Sequence, residues 1–302
     1  MFYNRCRSVL LLTFDHEMCT NFPYRSSVWD HRKGAIDGET RQYLHLLNAQ
    51  ARELQVPLTY FVVASALEEL DPGALAEAVR DGSEIANHTY SHVNVTATDP
   101  ADLRGLYAQQ PWLVGQRSAQ AVIQDEIVAA DQLLYRRLGC KATGFRTPYG
   151  FTAGIRSQPW LGTLLVKLGY RYVSSRYAGW DLWHEAGAEA GLDDARLLAD
   201  LRASQPYQDP DGLWELPIVT PTDCHVFRPW RWPLDRWLQT LCRLVDLGYE
   251  HGLVVDLCCH PAILAACDPA AETVQAAVAR ARSKADGVWI TTPSAFVLAQ
   301  EA

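Results

Sequence analysis

The sequence contains no long hydrophobic run and no export signal. No apolar stretch approaches the roughly 20 residues that a membrane-spanning helix needs. The segment from Met1 to Arg7 has neither the apolar stretch nor the small-residue cleavage site of a signal peptide. We therefore expect a cytoplasmic protein with no membrane partner.

Two further features are missing, a surplus of basic residues and a dense set of cysteines. The 27 lysine and arginine residues are outnumbered by 35 aspartate and glutamate residues, which gives a formal charge of −8. Proteins that bind nucleic acid need clustered cations to neutralise phosphates. The eight cysteines include no C-x-x-C pair and are too sparse for a disulfide scaffold. Nucleic acid is therefore not an expected partner, and the fold is not expected to depend on disulfides.

What the chain does have is the composition of a globular protein with a sizeable core. It has 302 residues, of which 48% are hydrophobic and 21% are charged, and this balance is ordinary for folded proteins. The length suits one α/β barrel better than two smaller domains. We expect a single domain over residues 1–302.

Apolar, β-branched runs alternate with helical patterns along the chain, which is typical of a parallel sheet built from βα units. Because no glycine-rich dinucleotide turn follows the first run, a barrel is favoured over an open nucleotide-binding sheet. The predicted fold class is α/β, a distorted (β/α) barrel with seven or eight parallel strands. The candidate strands are residues 8–14, 58–63, 84–87, 143–146, 171–174, 213–219, 253–259 and 287–291.

Capping residues and apolar periodicity mark the helices between these strands. The Asp-Pro pairs that begin at Asp71 and Asp268 each predict a helix start, with the aspartate as cap and the proline at the first helical position. Residues 118–138 keep apolar side chains in helical register and end at Gly139. Residues 234–247 carry another apolar stripe. These segments supply the helical half of the βα pattern.

Two histidines, His88 and His92, lie four residues apart. On one helical turn this spacing makes the two side chains face the same way, so that they can share a metal ion. Alone the pair is weak evidence, because the same spacing often arises by chance. Its weight depends on what other chemistry the chain brings to the same place.

The ends of other predicted strands carry ionisable side chains as well. The first strand leads into Asp15, His16 and Glu17, the fourth ends at Arg146, and a later strand ends at His260. Burying such groups without partners is costly, and the C-terminal ends of barrel strands meet at one rim. We therefore expect a functional site at that rim.

The order of these motifs resembles that of the polysaccharide deacetylase superfamily, also called carbohydrate esterase family four. The ending 287–293 and the His260-Pro261 pair look closer to the allantoinase-like branch of that superfamily. Between residues 13 and 261 the resemblance covers most of the chain. The matching motifs are Thr13-Phe14-Asp15, the H-x-x-x-H pair from His88 to His92, the R-x-P-Y motif from Arg146 to Tyr149, and the late His260.

The resemblance implies a divalent metal ion bound by His88 and His92, with Zn²⁺ expected and Co²⁺ or Ni²⁺ as alternatives. The family's usual third ligand is an acid directly after the base, but this position is His16 here. A D-x-E variant of the motif would make Glu17 the third ligand. Side chains alternate along a strand, so residues 15 and 17 share one side while residue 16 points away. We favour Glu17 over His16 on this ground.

The resemblance also implies catalytic roles. Asp15 is the expected base, the backbone N–H of Tyr149 is the expected oxyanion donor, and His260 is the acid that would protonate the departing nitrogen. Arg146 is the candidate cation beside Asp15, because its planar fork can hold a carboxylate in one orientation. With a water activated by the metal, these groups would hydrolyse an amide.

Other parts of the family pattern are altered or less specific. No acid that could orient His260 follows the fifth strand before Asp181. Asp256 lies about 13 Å along its strand from His260, beyond hydrogen-bond reach, and is expected to pair with another group inside the barrel. Trp180 and Trp183 lie near the position of the family's aromatic groove wall and are candidate substrate-binding residues.

These residues together predict a metal-dependent hydrolase of a C–N amide bond that acts on a saccharide or another small molecule. The first expectation is removal of an acetyl group from an N-acetylated sugar or polysaccharide. A cyclic imide or ureide is the alternative substrate class, in line with the allantoinase-like ending. A binding protein that keeps the fold without activity is the remaining alternative, because the first motif is altered and the orienting acid is missing.

Overall fold

A curled sheet forms the centre of the protein. The computed structural model describes residues 5–20, 33–68, 72–179 and 193–302. In these residues the strands are β1 (Ser8–His16), β2 (Thr59–Val62), β3 (Glu84–Asn87), β4 (Gly144–Phe151), β5 (Tyr172–Arg176), β6 (Tyr207–Gln208), β7 (Trp214–Glu215), β8 (Val254–Cys259) and β9 (Val288–Thr291). Their order is β6-β7-β5-β4-β3-β2-β1-β8, with β9 also paired to β1. Within the described ranges, only β6 runs antiparallel to its neighbour.

The segment after β7 connects the two sides of the curl. The backbone N–H of Ile218 donates to the carbonyl of Arg176 in β5 (2.9 Å), and that of Val219 donates to the carbonyl of Asp256 in β8 (3.2 Å). The described strands therefore form the distorted (β/α) barrel that the sequence predicts, and this fold class is confirmed. The predicted strand 213–219 is shorter than expected, since only Trp214–Glu215 pairs as a strand.

β1 is the central strand, and each of its nine residues is buried. Leu10, Leu12 and Phe14 pack in the apolar layer that includes most of the helices, whereas Val9 and Leu11 belong to a smaller cluster formed by neighbouring strands and the C-terminal helix. Burying one such side chain contributes about 1.5–3 kcal/mol relative to leaving it exposed. Burial of both sets of side chains therefore fixes which face of β1 each residue occupies. The polar residues at the end of the strand continue the same alternation.

The long helical segment predicted over residues 118–138 is present. The helix Ala119–Leu138 begins after Ser118, whose hydroxyl accepts a bond from the N–H of Ala121, and it ends at Gly139 in the left-handed conformation. The predicted cap Asp71 lies outside the described residues. No helix within them is both long and apolar enough to cross a membrane. The described helices are α1 (Gly38–Glu53), α2 (Gly73–Arg80), α3 (Gly105–Gln109), α4 (Ala119–Leu138), α5 (Pro159–Leu168), α6 (Asp194–Ala203), α7 (Asp223–Phe227), α8 (Leu234–His251), α9 (Pro261–Cys267), α10 (Glu272–Arg282) and α11 (Pro293–Glu301).

The predicted helix start at Asp268 is wrong by several residues. Asp268 ends α9, and α10 begins at Glu272. The Asp268 carboxylate accepts hydrogen bonds from the N–H groups of Glu272 and Thr273, each at 2.8 Å. This aspartate therefore satisfies free N–H groups in the first turn of α10 from outside the helix. For this reason the helix begins four residues after Asp268 and not directly after it.

Candidate metal centre and active site

The end of β1 presents two carboxylates to the same region. Asp15 and Glu17 both line one cavity, as the alternation of side chains along β1 predicts. His16 is not part of the ligand cluster, and among the described residues its Nδ1 has no hydrogen-bond partner. Burial lowers the pKa of His16 to about 4, so this ring is neutral at physiological pH.

The histidine pair lies in a loop, so the predicted helical turn is wrong. β3 ends at Asn87, and residues 88–92 contain no helical structure. Thr89 and His92 have φ angles of 65° and 63°, which residues other than glycine rarely adopt. Such a backbone cannot continue a right-handed helix. The loop nevertheless brings the rings of His88 and His92 to a centroid distance of 4.9 Å.

Both histidine rings point at the carboxylate of Glu17. His88 Nε2 lies 3.1 Å and His92 Nε2 lies 2.6 Å from the same oxygen, Oε2. The ammonium of Lys33 contacts the other oxygen, Oε1. Burial opposes ionisation of Glu17, but the ammonium of Lys33 is the strongest of the influences that hold the pKa of this carboxyl well below its ordinary value. The cluster thus combines an ionised carboxylate with two imidazole nitrogens.

This donor set fits a divalent cation. His88 Nδ1 lies 2.8 Å from the backbone carbonyl of Arg146, which can only accept, so Nδ1 carries the proton. In the neutral ring, Nε2 then turns its lone pair toward the carboxylate of Glu17, and the two groups repel each other. A cation bound by both atoms would remove this repulsion. Burial lowers the pKa of His92 to about 4, so a positive charge on the His92 ring is disfavoured. Two imidazoles and a carboxylate are a known ligand set for Zn²⁺ with one position left open.

Arg146 is buried behind the site and binds two carboxylates. Its Nη1 donates to Asp15 (2.7 Å), its Nη2 donates to Asp256 (3.0 Å), and the hydroxyls of Thr13 and Ser174 accept further bonds at 3.0 and 3.1 Å. Burial opposes ionisation of Asp15, but the guanidinium outweighs it and lowers the pKa of this carboxyl. Burial raises the pKa of Asp256 to about 6. Asp256 thus pairs inside the barrel, and Asp15 is held ionised in one orientation.

His260 is oriented by Asp223, a residue that the sequence analysis did not identify. His260 Nδ1 lies 2.8 Å from Asp223 Oδ1, and the backbone N–H of His260 donates to Asp223 Oδ2 (2.6 Å). Burial disfavours the imidazolium, but Cys224 and Asp223 outweigh it and raise the pKa of His260 well above its ordinary value. Asp223 starts α7, just after the segment that closes the barrel. The sequence feature that could have identified Asp223 is its position four residues after the predicted strand 213–219.

Tyr149, in β4, and residues from other parts of the chain complete the cavity. Tyr149 has a φ of 67°, and its ring packs edge-on against His92 with centroids 4.8 Å apart. The cavity has a volume of about 160 Å³. Trp180 and Trp183, the candidate substrate-binding residues, lie outside the described residues. The cavity is lined by Asp15, Glu17, Lys33, His88, His92, Thr147, Tyr149, Tyr177, Thr222, Cys224, Arg228 and His260.

Neighbouring residues allow the third ligand to be tested with matched variants. Glu17→Gln removes the charge that faces both histidines, whereas His16→Gln changes an equally buried side chain outside the cluster. We expect Glu17→Gln to weaken Zn²⁺ binding by more than the roughly 10–100-fold that loss of an outer-shell partner costs. His16→Gln should bind as the wild type does. Calorimetric titration of metal-free protein measures both, and the reverse pattern would make His16 the ligand.

Several solved structures have the same fold. A probable polysaccharide deacetylase from Pseudomonas aeruginosa PAO1 is 17% identical, with a TM-score of 0.66 over 99% of this chain and 92% of that chain. The PuuE allantoinase is 16% identical, with a TM-score of 0.65 over 98% and 91% of the two chains. A wild-type CE4 family pseudoenzyme from Bacillus anthracis is 11% identical, with a TM-score of 0.50 over 96% and 65%. At these identities the similarity shows the fold alone.

Comparison of sequences shows the family. No curated protein matches the chain. The family model for polysaccharide deacetylases matches residues 3–173, which is more than half of the chain. This range contains the first three motifs on which the resemblance was based. The resemblance is therefore confirmed, and the chain belongs to the polysaccharide deacetylase family.

Proposed function

We propose that the protein is a metal-dependent hydrolase of a C–N amide bond, and that it removes an acetyl group from an N-acetylated sugar or polysaccharide. The observation that carries the proposal is the convergence of Glu17, His88 and His92 in the cavity that Asp15 and His260 also line. A cation site, a base and an acid around one small cavity are what amide hydrolysis requires. Membership of the polysaccharide deacetylase family supports the same reaction.

Glu17, His88 and His92 would hold the metal ion. Their donor atoms suit Zn²⁺, and Co²⁺ or Ni²⁺ are alternatives with similar ligand preferences. When bound, the ion would lower the pKa of a water molecule to about 7 and polarise the amide carbonyl. The carbonyl of Arg146 fixes the tautomer of His88 that such an ion needs.

Asp15 would take a proton from the attacking water. Arg146 binds its Oδ1, while its Oδ2 lies 3.8 Å from His260 Nε2. The lowered pKa of Asp15 keeps the carboxylate ready to accept a proton near neutral pH. A positioned base of this kind contributes about 10²–10⁴-fold to the rate.

His260 and Tyr149 would act on the other side of the reaction. Because Asp223 binds Nδ1 of His260, Nε2 is the nitrogen left to donate a proton to the departing amine. The raised pKa of His260 keeps that proton on the ring at neutral pH. The backbone N–H of Tyr149 would donate to the oxyanion that forms on the carbonyl oxygen.

A cyclic imide or ureide is the second candidate substrate. The ending 287–293 and the His260-Pro261 pair favour it, since both look allantoinase-like. Ring opening also breaks a C–N amide bond and would use the same base and acid. The two candidates differ in their products, because only deacetylation releases acetate. Trp180 and Trp183, as aromatic contacts for a sugar ring, favour the saccharide.

The direct test is a substrate screen with protein loaded with Zn²⁺. Oligomers of N-acetylglucosamine, single acetamido sugars and cyclic ureides are each incubated with the enzyme, and acetate release and ring opening are measured. We expect acetate in amounts equal to the free amine formed. Ring opening without acetate would support the second candidate. Metal-loaded protein that converts none of these substrates would instead indicate a silent relative.

Asp223→Asn should lower turnover and shift its pH dependence. The raised pKa of His260 maintains the protonated ring until the pH rises through that value, so the acid is lost only on the alkaline side. Without the negative charge of Asp223 this loss should occur at lower pH, and kcat at pH 7 should fall by about 10²-fold, the lower end of the range for general acids. The measurement is a pH profile of kcat.

Asp268→Asn is the matched control for this prediction. Asp268 is as fully buried as Asp223 and also accepts hydrogen bonds from backbone N–H groups, but it caps α10 and does not line the cavity. Its replacement should leave the pH profile unchanged. An alkaline limb that stays in place in Asp223→Asn would remove His260 from the role of acid.

A further inference from the structure

The two histidine ligands are oriented in different ways. The ring of His88 is fixed by the bond between Nδ1 and the Arg146 carbonyl (2.8 Å). Nδ1 of His92 is buried and has no hydrogen-bond partner among the described residues. Metal-binding histidines usually donate this second N–H to an acceptor that sets the orientation of the ring. For His92 the orientation must therefore come from packing and from the backbone.

The backbone around His92 is in a conformation that needs support. His92 has a φ of 63° and Thr89 a φ of 65°, and side-chain-bearing residues adopt such angles only when their surroundings hold them there. The ring of Tyr149 packs against His92 from the cavity side, with centroids 4.8 Å apart. The side chain that binds the backbone itself comes from α4 and does not line the cavity.

Glu126 of α4 binds the residue directly before His92. Its Oε2 accepts the backbone N–H of Ser91 (2.7 Å), and its Oε1 accepts the Ser91 hydroxyl (2.8 Å). Oε1 also accepts the hydroxyl of Tyr107 in α3 (2.7 Å). The glutamate is 2% exposed, so its carboxylate is committed to these donors. Glu126 does not line the cavity.

The start of the same loop is also attached to α4. The side-chain oxygen of Asn87 accepts the N–H of Thr89 (2.7 Å), while its amide group donates to the carbonyl of Ile127 (3.0 Å) and to Asp131 (2.8 Å). The loop is thus held at both ends by one helix. Glu126 is the part of this attachment that acts next to His92.

We propose that Glu126 is a positioning residue for the metal centre. By binding both the N–H and the hydroxyl of Ser91, it holds the strained backbone that directs Nε2 of His92 toward Glu17. This role replaces the missing bond at Nδ1 of His92. The inference rests on the proposed function, since it assumes that His92 is a metal ligand. It assigns to Glu126 no contact with substrate or metal.

The test compares Glu126→Leu and Glu126→Gln with Glu84→Leu. Glu84 lies in β3, at the opposite end of the strand that leads to His88, and its carboxylate also accepts buried hydrogen bonds, from Ser294 (2.6 Å) and Tyr172 (2.8 Å). Two quantities are measured on the full chain, the Kd for Zn²⁺ by competition with a chelator and the absorption spectrum of bound Co²⁺, which reports ligand geometry. Melting temperatures are recorded alongside.

We expect Glu126→Leu to raise the Kd by about 10–100-fold and to change the Co²⁺ spectrum. Glu126→Gln keeps an acceptor oxygen for Ser91 and should recover most of the affinity. Glu84→Leu should lower the melting temperature without changing Kd or spectrum. If Glu126→Leu does not fold, Ser91→Ala, which removes the hydroxyl bond alone, should raise the Kd in the same direction.

The failures can be told apart. A Kd and spectrum of Glu126→Leu equal to those of the wild type would overturn the inference and leave the metal centre intact. Equal changes of Kd and spectrum in Glu126→Leu and Glu84→Leu would show that the effect comes from a general loss of stability. This result would also overturn the inference. A wild-type protein that binds no metal would overturn the metal centre itself, and the positioning role with it.

Discussion

Asp15→Asn is expected to lower turnover by orders of magnitude while leaving the metal bound. Asparagine has the same shape as aspartate and can still accept a hydrogen bond from Arg146, but it cannot take a proton from water. Asp15 does not belong to the cluster of Glu17, His88 and His92 that could hold the metal ion. We expect kcat to fall by about 10²–10⁴-fold, the usual contribution of a general base. Steady-state kinetics on metal-loaded protein gives kcat, and metal analysis gives occupancy.

The matched control for this variant is Asp256→Asn. Both carboxylates bind the same guanidinium and both are buried, but only Asp15 lines the cavity. Each variant loses one ion pair with the guanidinium of Arg146, so an effect of that loss on kcat would appear in both. Loss of the base would lower kcat only in Asp15→Asn. Equal decreases in kcat would show that the two acids act only through Arg146, and unchanged kcat in Asp15→Asn would exclude it as the base.

Arg146→Leu should have the largest effect on stability. It would leave Asp15 and Asp256 buried without the cation that both now bind. Removing one partner of a buried ion pair typically costs about 3–5 kcal/mol. Turnover should be lost as well, because without the guanidinium burial would raise the pKa of Asp15 and favour its protonated form. Urea unfolding near pH 7 measures the stability, with Arg146→Lys as the variant that retains a charge.

The stability effect should depend on pH with a defined sign. Because the pKa of Asp15 is lowered in the folded protein, its pairing stabilises the fold above the ordinary pKa of aspartate and ceases to do so as the pH falls through the lowered value. The difference between wild type and Arg146→Leu should therefore shrink in acid. Arg156→Leu, which removes an exposed pair with Asp209, should change little at any pH. A difference that grows in acid would contradict this account.

The sequence predicted the parts of the fold that depend on local pattern. Alternation of apolar residues identified β1, and the same alternation chose Glu17 over His16 as the side chain that faces the histidines. The helical periodicity of residues 118–138 and the glycine Gly139 that follows them predicted the extent of α4 to within one residue. These patterns depend only on residues close together in the sequence, so they can be interpreted without knowledge of tertiary contacts.

What the sequence could not give depends on contacts between distant parts of the chain. Spacing alone suggested a helical turn for His88 and His92, but the loop takes its shape from Glu126 and from positive φ angles that no spacing rule records. Asp223 lies 37 residues before His260, and only the folded barrel brings them together. The predicted strand 213–219 is longer than the observed one, because the apolar residues Ile218 and Val219 bond to β5 and β8 without forming a strand of their own.

The most direct test of the central claim is metal analysis of the purified wild-type protein beside His88→Ala, His92→Ala and His45→Ala. His45 is an exposed histidine that contacts Glu77 on the surface and controls for non-specific binding. We expect stoichiometric metal in the wild type and in His45→Ala, and loss of that metal in the other two variants. Full occupancy in His88→Ala and His92→Ala would mean that these rings and Glu17 do not form the metal centre.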